Sequence, residues 1–174
     1  MEKQHILLEY DLYKQKYKKI YGDSSLILMQ LGKFYEMCAV LEGDTQYGET
    51  DIYNICNNIL NISVATKKNK YKNEKGESAL VYKQAGFPMP SKEKYIPILL
   101  KHNYTIIIVE QITSKPSIER DVVEILSPGT TLWNTSGSIH NFFMSVFIEK
   151  LSLQSSFFYQ CGVSCIDLST GKNY

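Results

Sequence analysis

The sequence predicts an α/β domain of the α+β type, a mixed β-sheet flanked by helices, over residues 1–127 of a chain of 174 residues. Two observations lead to this class. The apolar runs at 26–29 and 106–109 are continuous rather than alternating, which is typical of strands covered on both faces by helices. Residues 6–20 instead place apolar side chains at spacings of three and four, which indicates an amphipathic helix.

This helix and one strand are the first predicted elements. The apolar face of the helix is formed by Ile6, Tyr10, Tyr13, Tyr17 and Ile20. Gly22 is a natural helix end, and residues 25–31 follow as a buried strand. We expect Gly32 to kink or bulge that strand, so that the chain turns outward near Phe34.

The middle of the domain predicts a helix over 51–60 and strands over 61–66 and 79–85. Residues 67–78 are polar and charged, and we expect a loop or a mobile hairpin tip there. Residues 86–90 are expected to be irregular, because Pro88 and Pro90 cannot donate backbone hydrogen bonds.

The last part of the domain predicts one helix and two strands. Ser91 is a suitable N-cap for a helix that ends near His102 and contains Pro97. The strands are predicted over 104–112 and 121–126. Residues 128–140 are expected to be a linker, and residues 141–174 to be the first strands of a second domain that is cut short. Two strands joined by a loop cannot form a core of their own.

Composition narrows the function classes. The net charge of +1 gives no global field toward nucleic acid, so the lysine runs at 14–19 and 67–75 are local candidates for phosphate contact, with a solvated surface as the alternative. Four cysteines without metal-binding spacing predict free thiols in a reducing compartment. With no signal peptide or membrane-spanning run, we expect an intracellular protein, in cytoplasm, nucleus, organelle or viral factory.

Phe34 and Glu36 are the candidate binding residues. They lie two positions apart after an apolar run and so share one face of an extended chain. The ring can wedge between stacked bases while the carboxylate tests a base edge, and a mispair costs less to unstack than a matched pair. We expect nearby phosphates to raise the pKa of Glu36, so that the neutral acid can donate a hydrogen bond. Tyr35 faces the other way and is expected to pack. An ordinary strand end is the alternative interpretation of this stretch.

The order of motifs resembles the MutS family of DNA mismatch-repair proteins. GKFYEM resembles the family's Phe-x-Glu element, and LNISVATKK the strand and basic turn after its second helix. AGFPMPSKEKYIPILLKHNYTIIIVEQI resembles the loop, helix and strand that end in Glu-Gln, and ERDVVEILSPGT the last strand and exit turn. CGVSCIDLSTG resembles the first strands of the connector domain, which has an RNase H-like fold. Lys33 and Gly86-Phe87-Pro88 look most like mismatch-reading eukaryotic-type members.

The resemblance implies roles for individual residues. Phe34 would wedge into the duplex at the mispair, and Glu36 would hydrogen-bond the mispaired base. Contacts to the DNA backbone would come from six residues, namely Lys33, Lys67, Lys68, Lys70, Met89 and Ser91. Glu110-Gln111 is interpreted as a structural pair at a strand end. The resemblance implies neither a catalytic residue nor a metal ligand in this chain.

The resemblance also implies what the whole protein would do. Its substrate would be double-stranded DNA with mismatches or small loops. Its partners would be a second MutS-type subunit, identical or not, and a MutL-type protein. ATP and Mg²⁺ would be its cofactors, bound outside this chain, which contains no G-x-x-x-x-G-K-[ST] motif. The chain itself is therefore expected not to be an enzyme.

Two other classes of function stay open at the level of sequence. Asp167, in a segment that looks like the first strand of an RNase H-like fold, would fit a metal-dependent nuclease if further carboxylates joined it. A MutS-like module that binds a partner without reading mismatches is the second alternative. The presence of Phe34 and Glu36 argues against it.

Overall fold

A computed structural model describes residues 2–42, 45–73, 76–114, 117–129, 142–153, 156–168 and 171–174. The chain divides into two compact units, Met1–Ser127 and Pro128–Tyr174. No helix in the described ranges has the length and apolar character needed to cross a membrane. The predicted linker at 128–140 lies almost wholly outside the described residues.

The first unit is a mixed sheet with helices, as the sequence predicts. Its helices are α1 (Glu2–Tyr21) and α2 (Lys92–Lys101), with a π-helical segment at Asn54–Ile59 and a 3₁₀ turn at Met89–Ser91. Its strands are β1 (Ser25–Leu31), β2 (Phe34–Glu42), β3 (Thr45–Gly48), β4 (Ala65–Asn73), β5 (Gly76–Pro88), β6 (Thr105–Gln111) and β7 (Arg120–Leu126). They are ordered β4-β5-β2-β1-β6-β7, and β3 pairs with β2 beyond the end of β1.

Strand β1 is the centre of this sheet. It pairs antiparallel with β2 and parallel with β6, where Leu26 is opposite Ile106 and Met29 is opposite Val109. The predicted apolar runs are these two neighbouring strands, and their residues are fully buried. Helices on both faces explain why the apolar runs do not alternate.

Helix α1 covers one face of the sheet. Tyr10 and Tyr17 are buried there among Ile27, Cys38 and Val109, and the Tyr10 hydroxyl donates to the Ile27 carbonyl at 3.1 Å. The predicted helix face is therefore confirmed from Ile6 to Tyr17. It is wrong at Ile20, which is 58% exposed. The helix ends at Tyr21. Gly22 follows with a positive φ of 80°, and its amide donates back to the Lys18 carbonyl.

Lys14 corrects the interpretation of the first lysine run as a basic strip. It is buried, and its ammonium donates to Glu49 at 2.8 Å and to the Ser25 carbonyl at 2.5 Å. This lysine joins α1 to the start of β1 and to the segment after β3. Its charge is therefore used inside the domain and is not offered to a ligand.

Helix α2 covers the opposite face. Ile96, Leu99 and Leu100 are buried on it, and Tyr95 stacks on Phe87 with ring centroids 4.5 Å apart. The helix runs through Pro97, as predicted. Ser91 occupies the N-cap position, but its side chain makes no capping hydrogen bond. The 3₁₀ turn leads into the helix instead.

Three predicted segments differ from the structure. Residues 61–64 are not a strand, because they close the preceding helical segment: Asn61 has a φ of 53°, and the Ile62 amide donates to Cys56 at 2.8 Å. Residues 67–73 and 76–78, expected to be a loop or a mobile hairpin tip, are the paired arms of the β4–β5 hairpin. The hairpin alternative is therefore right, but the length of its strands was not predicted. Residues 86–88 continue β5 to Pro88, since a missing N–H costs least at a strand end.

The second unit is an antiparallel three-stranded sheet. Its strands are β8 (Phe142–Leu153), β9 (Ser156–Asp167) and β10 (Lys172–Asn173), in the order β10-β9-β8. The sequence predicts strands over 142–149 and 158–168 in this unit. Both are present, the first extended to Leu153 and the second beginning at Ser156. Large apolar side chains such as Phe147, which is 66% exposed, are open to solvent along the hairpin, so the described residues of this unit do not enclose a core.

Candidate nucleic-acid interface

The Phe34–Glu36 stretch starts at a tight turn. Gly32 and Lys33 connect β1 to β2, and Leu31 is directly opposite Phe34. Gly32 has a φ of 64°, and glycine suits a positive φ at the first central position of a two-residue hairpin. The predicted kink or bulge at Gly32 is therefore wrong. The chain reverses there, which places Phe34 beside the tip of a hairpin.

Phe34 and Tyr35 point to opposite faces of β2. Phe34 is 44% exposed, whereas Tyr35 is 2% exposed. The Tyr35 ring packs edge-on against Phe87, and its hydroxyl donates to Glu110. The prediction that Tyr35 packs is confirmed, and so is the structural role of Glu110. Phe34 is thus the aromatic ring of this stretch that a ligand can reach.

Glu36 lies on the same face as Phe34, at a cleft of about 260 Å³. The cleft is lined by Ile6, Leu7, Leu31, Glu36, Cys38, Lys67, Tyr82 and Gln84. The Oε2 atom of Glu36 is buried and has no hydrogen-bond partner among the described residues. Burial raises the pKa of Glu36, and the Lys67 ammonium partly opposes this shift. The direction agrees with our expectation, but burial causes it already without DNA.

Gln30 braces the turn, and sequence analysis did not single it out. Its amide nitrogen donates to the Gly32 carbonyl at 3.0 Å, and its amide oxygen accepts from the Gln111 backbone at 2.9 Å. The Arg120 guanidinium donates to the Gln30 carbonyl at 3.2 Å. Together with the Tyr35–Glu110 bond, these contacts tie both arms of the hairpin to β6 and one arm also to β7. The signal in the sequence was the Glu110-Gln111 pair. Glu110 anchors the β2 arm through Tyr35, and Gln111 anchors the β1 arm through Gln30.

Gly86 is the second residue that sequence analysis did not assign to the site. It is opposite Glu36 across β5 and β2. A Cβ atom at this position would lie 2.1 Å from the Tyr35 carbonyl oxygen and 3.0 Å from the Glu36 Cγ. Only a residue without a side chain allows this spacing, so Gly86 helps to set the position of Glu36.

The lysines predicted to contact the DNA backbone do not all lie on one face of the sheet. Lys33 is exposed in the turn. Lys67 lines the cleft beside Glu36 and donates to the Gln84 side chain. Lys68 is exposed, but it follows Lys67 on β4 and therefore belongs to the opposite face of the sheet. Lys70 lies on β4 in the same phase as Lys68. Its side chain is outside the described part of the structure.

Met89 and Ser91 approach the site from the 3₁₀ turn. The Met89 amide donates to the Lys33 carbonyl at 3.0 Å, so this turn lies directly beside the β1–β2 hairpin. Both residues are partly exposed. The structure therefore brings Lys33, Phe34, Glu36, Lys67 and Met89 into one neighbourhood.

The described ranges contain no candidate metal site. No group of three or more His, Cys, Asp and Glu side chains there is arranged to hold a metal ion. Asp167, the candidate in the nuclease alternative, is buried at the end of β9 in the second unit.

Comparison with known proteins identifies the family. Residues 54–135 match the family model described as MutS domain I; Phe34 and Glu36 lie outside the matched residues. A mutS homologue of Acanthamoeba polyphaga mimivirus, named as a DNA mismatch repair protein, is 31% identical over 99% of this chain and 15% of its own length. The DNA mismatch repair protein MutS of Thermodesulfovibrio yellowstonii is 31% identical over 96% of the chain and 16% of its own length.

A third relative, the MutS protein of Halothermothrix orenii, is 30% identical over 97% of the chain and 16% of its own length. The chain thus spans about one sixth of the length of these curated relatives. Within that span the similarity extends over nearly all of its residues, including the hairpin that carries Phe34 and Glu36. The chain belongs to the MutS family, and it contains the family's domain I.

Proposed function

We propose that the β1–β2 hairpin reads mispaired bases in double-stranded DNA. Phe34 is the wedge that enters the duplex at the mispair, and Glu36 hydrogen-bonds the mispaired base. Lys33 and Lys67 are the nearest backbone contacts, with Lys68, Lys70, Met89 and Ser91 around them. The chain itself needs no catalytic residue for this role.

The observation that carries the proposal is the pairing of an exposed ring with a buried, unpartnered carboxylate oxygen on one strand face. Phe34 is open to solvent beside a braced turn, and Glu36 Oε2 has no hydrogen-bond partner in the described part of the chain. A buried carboxylate oxygen without a hydrogen bond is costly, and a base edge could supply the missing partner. Unstacking costs a few kcal/mol per step, and aromatic stacking returns about 1–3 kcal/mol per base, so the balance can favour mispairs.

The coarser function rests on the comparisons. The match to MutS domain I and the names of the relatives support a role in mismatch repair and in DNA binding for this chain. In the whole protein we propose ATP hydrolysis with Mg²⁺, pairing with a second MutS-type subunit and contact with a MutL-type protein. These activities would require sequence beyond the 174 residues.

The test compares Phe34→Ala with Tyr53→Ala, which removes an aromatic ring of similar exposure elsewhere in the first unit. Binding to a duplex with one G·T mispair and to its matched counterpart would be measured by fluorescence anisotropy at low salt. We expect Phe34→Ala to abolish the preference for the mispair while leaving the melting temperature close to that of the unmutated chain, because its ring is exposed. Tyr53→Ala keeps the preference, because the Tyr53 ring is 45% exposed but lies outside the β1–β2 hairpin.

Two results would contradict this proposal. One is an unmutated chain that binds both duplexes equally well, which would instead favour a module that binds a partner protein. The other is an unchanged preference in Phe34→Ala.

A further inference from the structure

The cleft next to Glu36 contains a charge arrangement that the wedge model does not use. Glu36 comes from β2, while Gln84 and Lys67 come from β5 and β4. Strand register places all three on the face that α1 covers, since Glu36 pairs with Gly86 and Lys67 pairs with Tyr82. Lys67 is therefore the described basic residue that shares both the face and the cleft of Glu36.

Lys67 is held near Glu36 without being bound by it. Its ammonium donates to the Gln84 side-chain oxygen, and the residue is exposed. The amide is neutral, so it positions the ammonium without neutralising its charge. A phosphate of a bound duplex would attract this charge, because exposed lysines are typical contacts to DNA phosphates.

We propose that Lys67 is the counter-ion of Glu36 in the DNA-free protein and that a DNA phosphate takes Lys67 over on binding, which leaves Glu36 to accept a proton. This inference rests on the proposed function and adds a regulating residue to the same site. One proton passes from solvent to the Glu36 carboxylate, and no other group changes its charge. Glu36 then becomes a hydrogen-bond donor when the duplex is in place.

The surroundings of Glu36 favour such an exchange. Its other titratable neighbours in the cleft are Cys38 and Tyr82, and α1 contributes Ile6 and Leu7. Burial raises the pKa of the Cys38 thiol to about 12 and also raises that of Tyr82, so both stay neutral at ordinary pH. Lys67 is then the charge in the cleft that offsets the burial of the Glu36 carboxylate. Its withdrawal leaves the burial unopposed.

The first experiment needs no DNA. The side-chain carboxyl of Glu36 would be titrated by ¹³C NMR in the unmutated chain, in Lys67→Met and in Lys68→Met. Lys68 is the matched control because it is the next residue, is exposed and belongs to the opposite face. We expect Lys67→Met to shift the titration midpoint of Glu36 upward and Lys68→Met to leave it unchanged. Equal midpoints in all three proteins would overturn the proposal, whatever the DNA preference of the chain.

The second experiment measures the exchange itself. The same titration would be repeated with a saturating duplex that carries one G·T mispair, at low salt. We expect the duplex to move the Glu36 midpoint upward in the unmutated chain and in Lys83→Met, and to move it less in Lys67→Met. Lys83 is the control here because it follows Tyr82 on β5, belongs to the opposite face and is not among the proposed DNA contacts. A midpoint that the duplex does not move, or moves equally in all three proteins, would overturn the proposal. If Phe34→Ala lost the mispair preference but these midpoints stayed equal, the wedge would stand and the counter-ion role of Lys67 would fall.

Discussion

Lys14 and Glu49 form a buried ion pair with 2.8 Å between the ammonium nitrogen and the Oε2 atom. Burial raises the pKa of Glu49, and the Lys14 ammonium opposes that shift. Removal of one partner from such a pair leaves a charge in a place that water cannot reach. The pair therefore holds α1 on the sheet only as long as both members are present.

Lys14→Met should lower the free energy of unfolding by about 3–5 kcal/mol at neutral pH. When the pKa of a carboxyl group is raised in the folded state, the folded protein loses stability as pH rises through that pKa. The stability deficit of Lys14→Met should therefore be smallest in acid and grow toward neutral pH. Urea unfolding of the variant and the unmutated chain across a pH series measures this. The double variant Lys14→Met with Glu49→Leu should recover most of the loss, and a deficit that did not depend on pH would contradict the explanation.

Gly86→Ala should destabilise the first unit and disturb Glu36 together. The added Cβ would meet the Tyr35 carbonyl oxygen at 2.1 Å, and overpacking of this kind costs about 1–3 kcal/mol. Gly162→Ala is the matched control, because its Cβ would come no closer than 3.9 Å to Phe147. Thermal unfolding separates the two, and a Gly86→Ala protein as stable as the control would show that β2 and β5 can move apart freely.

Glu36→Gln should stabilise the DNA-free chain slightly at neutral pH. The pKa of Glu36 is raised by burial, so ionised Glu36 opposes folding above that pKa and has no such effect below the ordinary pKa of glutamate. Because solvent screens a partly exposed group, we expect a gain under about 1 kcal/mol. The gain should vanish in acid. Chemical denaturation at neutral and at acid pH measures this gain. A Glu36→Gln variant that is less stable than the unmutated chain at neutral pH would contradict the prediction.

Gln30→Ala should loosen the turn without unfolding the sheet. It removes the bonds to Gly32 and to the Gln111 amide, each worth about 1 kcal/mol. Amide hydrogen exchange should then rise at Gln111, while the amides of Ile107 and Ile108 in the buried centre remain protected. Unchanged exchange at Gln111 would mean that water replaces the side chain at no cost.

Much of the fold follows from local sequence patterns. The continuous runs at 26–29 and 106–109 predict strands covered on both faces, because every side chain in both runs is apolar. The helical spacing at 6–20 predicts α1 for the same reason. Strand β4 was not predicted over 67–73, because its lysines are typical of a loop. The edge of a sheet also accepts lysine side chains, since they stay in water there.

The candidate site was less accessible to sequence analysis. Phe34, Tyr35 and Glu36 could be sorted onto two faces by alternation alone. The cleft could not be predicted, because Lys67 and Gln84 come near Glu36 only through the register of β4 and β5. Gly86 appeared in the sequence as part of a turn-like motif, and its role depends on an approach of two backbones that no local pattern records.

The central place of β1 has a consequence for how the chain is made. Its pairing with β2 is local, but its other neighbour, β6, is synthesised much later, at residues 105–111. Parallel pairing over such a separation is slow, and until it forms, one edge of an apolar strand is open to other chains. A chain that ended before residue 105 would thus keep the β1–β2 hairpin but expose an aggregation-prone edge of β1 behind it. The hairpin gains its full support in the sheet only when residues 105–111 have left the ribosome.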